Sequence, residues 1–198
     1  MKLVVKNLQI LKLSPWNFSL SEGECIFLSG SSGSGKTRLL RALADLDPHQ
    51  GELTLDGESQ LSTPAHAWRK KVAFLPAESQ WWYAEVGEHF DDYDKTLLSQ
   101  LGFTEDVMGW EIARLSSGEK QRLALLRALA QSPEVLLLDE PTANLDSQCT
   151  HVIEKTVEQL RKDKGMAVIW VTHDAEQLSR LTTQGWVIEG EVIKERTL

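Results

Sequence analysis

Apolar and polar positions change period several times along the chain, and each change marks an element. Residues 3–8 and 16–20 read as short strands, with turn signals at Ser14-Pro15 and Glu22-Gly23. Residues 24–29 form a β run that ends in a glycine-rich loop. Residues 37–46 carry Leu39, Leu40, Leu43 and Leu46 at close to helical spacing and predict a helix, closed by Pro48 and Gly51. Residues 52–55 and 72–75 are two more short strands, the first turned by Asp56-Gly57. From about 84 to 114 the pattern becomes polar and helical, with an acidic cluster at Asp91, Asp92 and Asp94. This predicts a small helical insert within one domain covering residues 1–198. A strong helix follows over 119–131. The next segment, 135–139, is a fully apolar strand, as a parallel sheet requires when both faces are covered. Residues 147–162 and 175–181 read as helices around a second buried strand at 168–172, and a hairpin is expected around Glu189-Gly190-Glu191. Strands and helices that alternate after a glycine-rich turn indicate an α/β fold with a mainly parallel core sheet. The N-terminal strands follow one another without helices, which predicts an antiparallel β piece there.

Composition narrows the function classes. Hydrophobic residues make up 41% and charged residues 25% of 198, a balance that supports a sizeable core and excludes wholesale disorder. The net charge of −8 argues against a nucleic-acid partner, which a basic face would attract. The two cysteines, Cys25 and Cys149, form no CxxC pair, so a disulfide framework or zinc site is not expected, and Cys25 reads as a buried thiol in an apolar run. No apolar run approaches the roughly 20 residues of a membrane-spanning helix. The stretch from Met1 to Lys6 is too short and interrupted for a leader. Any membrane role is therefore expected to come through a partner.

The glycine-rich turn, Gly30-Ser31-Ser32-Gly33-Ser34-Gly35-Lys36-Thr37, matches G-x-x-x-x-G-K-[ST] in full. Its glycines let main-chain N–H groups approach phosphate oxygens, and the following helix aims its positive end at the same anion. Lys36 is expected to reach the β- and γ-phosphates of ATP, and Thr37 to offer its hydroxyl to Mg²⁺. Leu136-Leu137-Leu138-Asp139-Glu140 is an apolar strand that ends in two carboxylates. Asp139 suits a Mg²⁺ site held through water. Glu140 faces the other way and suits polarisation of the attacking water.

Leu115-Ser116-Ser117-Gly118-Glu119 precedes the acidic strand, and Ser116 with Glu119 forms a capping-box pattern at a helix start. A Ser- and Gly-rich helix N-terminus is also a phosphate-binding device. Here the sequence resembles the ABC ATPase family, whose signature typically reads LSGGQ. The resemblance covers nearly the whole chain and keeps the family's motif order. Ala143-Asn144-Leu145-Asp146 looks like its D-loop, and Val171-Thr172-His173-Asp174 like its switch histidine. It implies a P-loop NTPase core with a short helical subdomain. It also implies Mg²⁺-dependent hydrolysis of ATP to ADP and phosphate, with Lys36, Glu140 and His173 in the catalytic roles. Two copies would pair head to tail, so that Ser116, Ser117, Gly118 and Glu119 of one act on the nucleotide held by the phosphate loop of the other. The implied partner is an integral membrane permease, which places the chain on the cytoplasmic face of the cell membrane, with no nucleic acid involved. The alternative is a soluble family member in DNA repair or translation; those usually carry long coiled coils or two ATPase domains, and this chain has neither.

Three positions depart from the family pattern. Ala77 stands where a glutamine usually touches Mg²⁺ or the attacking water. No aromatic residue lies near Ile10 to stack on adenine, and Trp16 reads as core, so base recognition is expected to be loose. The insert is short. At its start, at least one of Trp81, Trp82 and Tyr83 is expected to be exposed and to dock a membrane subunit, while Asp91, Asp92 and Asp94 read as a solvated face.

Overall fold

Among the described residues, 2–143 and 145–198, the computed structural model has ten strands in two sheets. In chain order the strands are β1 (Leu3–Gln9), β2 (Trp16–Leu20), β3 (Cys25–Gly30), β4 (Gln50–Leu55), β5 (Glu58–Ser59), β6 (Val72–Leu75), β7 (Val135–Asp139), β8 (Ala167–Val171), β9 (Gln184–Glu189) and β10 (Val192–Thr197). The helices are α1 (Lys36–Leu43), α2 (Ala65–Lys71), α3 (Lys95–Gln100), α4 (Ser117–Leu129), α5 (Ser147–Lys164) and α6 (Ala175–Leu181). The larger sheet runs β10-β9-β3-β8-β7-β6, parallel except for β10, which closes a hairpin with β9. The smaller sheet, β2-β1-β4-β5, is antiparallel throughout. The expected parallel core and antiparallel N-terminal piece are both present.

The central strands of the larger sheet are buried on both faces, which is why they are apolar up to Ser29-Gly30 and Asp139 at their ends. Val135 and Leu137 of β7 join one hydrophobic cluster with Leu39, Leu40 and Leu43 of α1 and the smaller sheet. Leu136 and Leu138 point to the other face and join α4 and α5 through Leu125, Leu126 and Ile153. Each fully buried aliphatic side chain contributes roughly 1.5–3 kcal/mol. The same alternation puts α1 and α4 on opposite faces of the sheet.

Several boundaries differ from the sequence expectation. The helix expected over 37–46 ends at Leu43, because Asp45 turns left-handed (φ 55°). Leu46 N then donates to Arg41 O and Asp45 N to Ala42 O, the Schellman pattern, and Leu46 faces solvent. The helix expected from 119 starts at Ser117 and ends at Leu129, before the left-handed Ser132. Helix α5 runs two residues further than expected, to Lys164, where Gly165 caps it at φ 63°. Helix α2 was not foreseen, since only Trp68 among its polar residues is buried; the Trp68 Nε1–H donates to Leu43 O at 2.9 Å and satisfies the end of α1.

The insert at 84–114 is less helical than its composition suggests. It holds one six-residue α-helix, α3, and three 3₁₀ turns at Gly87–His89, Glu105–Gly109 and Ile112–Arg114. Helix α3 ends where Gly102 turns left-handed at φ 84°, with Phe103 N donating to Leu98 O and Gly102 N to Ser99 O. Val86, Leu97, Leu98, Leu101, Phe103 and Val107 pack it onto α4 in the second cluster. Asp91 and Asp92 are exposed, as expected, and Asp94 caps α3 through Thr96 N and Leu97 N. Among the described residues no helix is long and apolar enough to cross a membrane.

Candidate nucleotide site

Strand β3 leads straight into the phosphate loop, residues 30–37. Gly30 lies beside Ile188 of β9, where a β-carbon would sit 2.9 Å from the Ile188 carbonyl oxygen. Gly35 caps α1 at φ 103° with Leu13 packed against it, a conformation and a contact that exclude a side chain. The Lys36 ammonium is buried and folds back to donate to Gly30 O at 2.8 Å and Ser31 O at 3.0 Å. Burial lowers its pKa below the usual lysine range, and the carboxylates of Glu140 and Asp139 oppose that shift. Among the described residues the direct partners of the cation are these two neutral carbonyls. Among the described residues Ser34 Oγ, which is buried, has no hydrogen-bond partner. An unsatisfied hydroxyl, a cation on neutral oxygens and the N-terminus of α1 all fit a phosphate group.

Thr37, on the first turn of α1, donates its hydroxyl to Asp139 Oδ2 at 2.7 Å. Asp139 ends β7 and is 6% exposed. Burial raises its pKa and Glu140 adds to the rise, while the Thr37 hydroxyl and Lys36 lower it. A hydroxyl and a carboxylate in contact beside a phosphate loop are the hard oxygen donors that Mg²⁺ takes.

Glu140 leaves the strand at φ 48°, a left-handed conformation that costs an ordinary residue roughly 1–2 kcal/mol. The turn sets its Oε1 2.9 Å from His173 Nε2, two residues past the end of β8. Both side chains remain open to solvent at 31% and 50% exposure. The structure thus brings Lys36, Thr37, Asp139, Glu140 and His173 to one end of the parallel sheet, where ligands bind in folds of this kind.

The Ser116–Glu119 turn forms a complete capping box. Glu119 Oε2 accepts from Ser116 N at 2.8 Å and from the Ser116 hydroxyl at 2.7 Å, and Glu119 N donates to Ser116 Oγ at 3.3 Å. These bonds hold the Glu119 carboxyl below its ordinary pKa. Ser116 and Ser117 are exposed at the start of α4, on the other face of the sheet from α1. The phosphate loop and this turn therefore belong to different layers. Leu145 and Asp146 follow β7 beside it, Asp146 capping α5 through Cys149 N at 2.7 Å; Asn144 lies outside the described residues.

Ala77 and Glu78 are exposed in the loop after β6, which Gln121 of α4 anchors by donating to Pro76 O at 3.0 Å. Ile10 is buried and Trp16 is core, so neither can stack on a base; Leu11 is the exposed apolar residue of that turn. Trp82 and Tyr83 are 63% and 53% exposed, as expected of that aromatic run. His89 was given no part by the sequence and proves to organise them. Its Nε2 accepts from Trp82 N and Tyr83 N, both at 3.1 Å, so its proton sits on Nδ1, which faces Glu85 O at 3.0 Å. A lone histidine in a polar stretch carries no sequence signal for such a role.

A phosphate loop, an acidic strand end and a parallel sheet define a P-loop nucleotide hydrolase. The profile of the ABC transporter family matches residues 13–143, and the chain belongs to that family as an ATP-binding, ATP-hydrolysing subunit. The matched span holds the phosphate loop, the Ser116–Glu119 turn and both acids; His173 lies beyond it. The chain is 32% identical over 184 residues to the probable iron export ATP-binding protein of Escherichia coli (strain K12), covering 82% of this chain and 78% of that protein. It is 36% identical over 196 residues to an aliphatic sulfonates import ATP-binding protein of Granulibacter bethesdensis, covering 94% and 77%. Its fold matches a dimeric ATP-binding cassette in a post-hydrolysis state bound to ADP and Pi, with a TM-score of 0.82 at 24% identity over 99% and 98% of the two chains.

Proposed function

We propose that two copies of this chain hydrolyse ATP head to tail and drive an integral membrane permease from the cytoplasmic face of the cell membrane. The observation that carries the chemistry is the Glu140–His173 contact beside the Thr37–Asp139 pair at the mouth of the phosphate loop. Residues Gly30, Ser31, Ser32, Gly33, Ser34 and Gly35 cradle the phosphates with backbone N–H groups. Lys36 leaves the carbonyls of Gly30 and Ser31 for the γ-phosphate and exchanges neutral partners for a charged one. Thr37 and Asp139, which hold each other here, would hold Mg²⁺. Mg²⁺, when bound, neutralises charge on the β- and γ-phosphate oxygens. Glu140 accepts the proton of the attacking water, and His173 orients that water and contacts the γ-phosphate.

The layers support a second copy. With α1 and α4 on opposite faces of the sheet, Ser116, Ser117 and Gly118 belong to another layer than the chain's own phosphate loop, and we assign them to the nucleotide of the partner copy. A second chain reversed against the first aims the N-terminus of its α4 at the γ-phosphate. Glu119 keeps that turn in shape through the capping box.

The permease is proposed to dock at Trp82 and Tyr83 and in the adjoining groove of about 330 Å³ between β6, α2 and α4. Among the described residues His66, Arg69, Lys70 and Arg127 line this groove together with apolar side chains, Ser79 and Gln131, and no carboxylate does. Arg127 lies 4.4 Å and 4.8 Å from the ring centres of Trp81 and Trp82, and among the described residues its buried Nη1 has no partner. An acidic, partly apolar segment of the permease complements that lining. Insert 84–114 is proposed to be the part of the single domain that frames this surface.

Glu140→Gln tests the chemistry. It removes the proton acceptor and keeps the shape, so ATP should still bind while turnover falls by about 10²–10⁴-fold. Unchanged phosphate release would remove Glu140 from the mechanism.

A further inference from the structure

The strained turn at Glu140 is tied to the His173 segment on both sides of the pair. On one side, Glu140 N donates to Val171 O at 2.9 Å, on the strand that leads into His173. On the other, Thr142 meets Gln177 one helical turn beyond His173. Gln177 is 1% exposed. Its Nε2 donates to Thr142 Oγ1 at 3.0 Å and to Glu154 Oε1 at 2.8 Å, and its Oε1 lies 3.2 Å from the same Thr142 hydroxyl. Glu154 is itself buried on α5 and also accepts from Arg180 Nη2 at 2.9 Å. Helix α6 is held at its start by Asp174, whose Oδ1 accepts from Glu176 N and Gln177 N. The Glu140–Thr142 turn and the Val171–Gln177 segment therefore close into one ring of hydrogen bonds with the catalytic pair inside it.

A buried amide is costly unless its donors and acceptor are used, and here they join a hydroxyl to a carboxylate across three elements. A left-handed conformation at a residue such as Glu140 persists only where its surroundings enforce it. We infer that Gln177 is a positioning residue for hydrolysis: through Thr142 it holds the Glu140 carboxylate against His173. The inference rests on the roles proposed above for that pair. Loosening the ring moves the proton acceptor relative to the attacking water and leaves the phosphate cradle, which is formed by the loop after β3 and makes no bond in the ring, as it is. Turnover should suffer and ATP affinity should not.

The full chain is compared as wild type, Gln177→Met, Thr142→Val, Thr142→Ser and Glu140→Gln, measuring kcat and, separately, the Kd for ATP. Gln177→Met and Thr142→Val are expected to lose about tenfold in kcat with Kd within about twofold of wild type, and Thr142→Ser, which keeps the hydroxyl, to retain the wild-type kcat. Wild-type turnover in Gln177→Met alongside an inactive Glu140→Gln overturns the positioning role and leaves the catalytic pair standing. Equal losses in Thr142→Ser and Thr142→Val also overturn it, because packing and not the hydroxyl would then matter. A Glu140→Gln chain that hydrolyses at the wild-type rate removes the pair itself, and the inference with it.

Discussion

Asp139→Asn should make the nucleotide-free protein more stable and at the same time useless. Asp139 is nearly isosteric with asparagine, and the amide oxygen can still accept from the Thr37 hydroxyl, so the 2.7 Å contact need not be lost. What changes is the charge. Burial is the largest influence on this carboxyl and disfavours the ionised form; Glu140 disfavours it further, and Thr37 and Lys36 only partly compensate. The pKa is raised on balance, so at neutral pH the folded chain carries a net penalty that the unfolded chain does not. Removing it should stabilise the apo protein by about 1 kcal/mol, in line with other substitutions that relieve a functional site. For a domain of this size that raises Tm by about 2–4 °C. The sign with pH is fixed as well. The wild-type penalty is fully present above the raised folded pKa and vanishes below the ordinary aspartate value, so the advantage of the variant should fade as pH falls through that window. Mg²⁺ with ATP reverses the ranking. At a hundredfold excess over Kd the nucleotide adds about 2.7 kcal/mol to the wild type, and the variant should gain clearly less. Thermal denaturation with and without Mg²⁺ and ATP, at neutral and acidic pH, reads all of this. A lower apo Tm for Asp139→Asn at neutral pH, or a nucleotide shift equal to wild type, would refute the reasoning.

Other outcomes follow from the same geometry. Trp68→Phe leaves Leu43 O without its indole donor and opens space beneath α2; it should cost about 2 kcal/mol, read as a lower urea midpoint at unchanged m. The Cys25 thiol, pushed up to about 12 by burial, should resist alkylation at pH 8 until the chain unfolds; native labelling at Cys25, located by mass spectrometry, would contradict that. Trp82→Ala removes the most exposed of the aromatics that His89 presents and should weaken co-purification with the permease by about tenfold or more. Full capture of the permease would move the docking surface elsewhere.

Much of the site was legible because its parts are local. A phosphate loop needs glycines and a lysine at set spacing whatever surrounds them, and the capping box needs only Ser116 and Glu119 three residues apart. The parallel core was legible from the unbroken apolar run of β7, which only a sheet covered on both faces demands. Element ends were less so. Asp45 takes a left-handed turn usually given to glycine, and α2 depends on one tryptophan whose partner, Leu43, lies in another helix. The insert resembled a helix in composition, yet it packs onto α4 as one six-residue helix and three 3₁₀ turns, a division that its composition does not encode.

By itself, then, the sequence determined that a phosphate-loop motif follows β3, that two acids close β7 and that the chain folds as layered α/β. Those features rest on nearest neighbours along the chain. The tertiary structure alone decided the rest. It set Glu140 against His173 from another strand, with Gln177 behind them, and folded Lys36 onto its own loop. It also put α1 and α4 on opposite faces of one sheet. These are contacts between residues far apart in the chain, and no local period or spacing encodes the distance that folding sets between them.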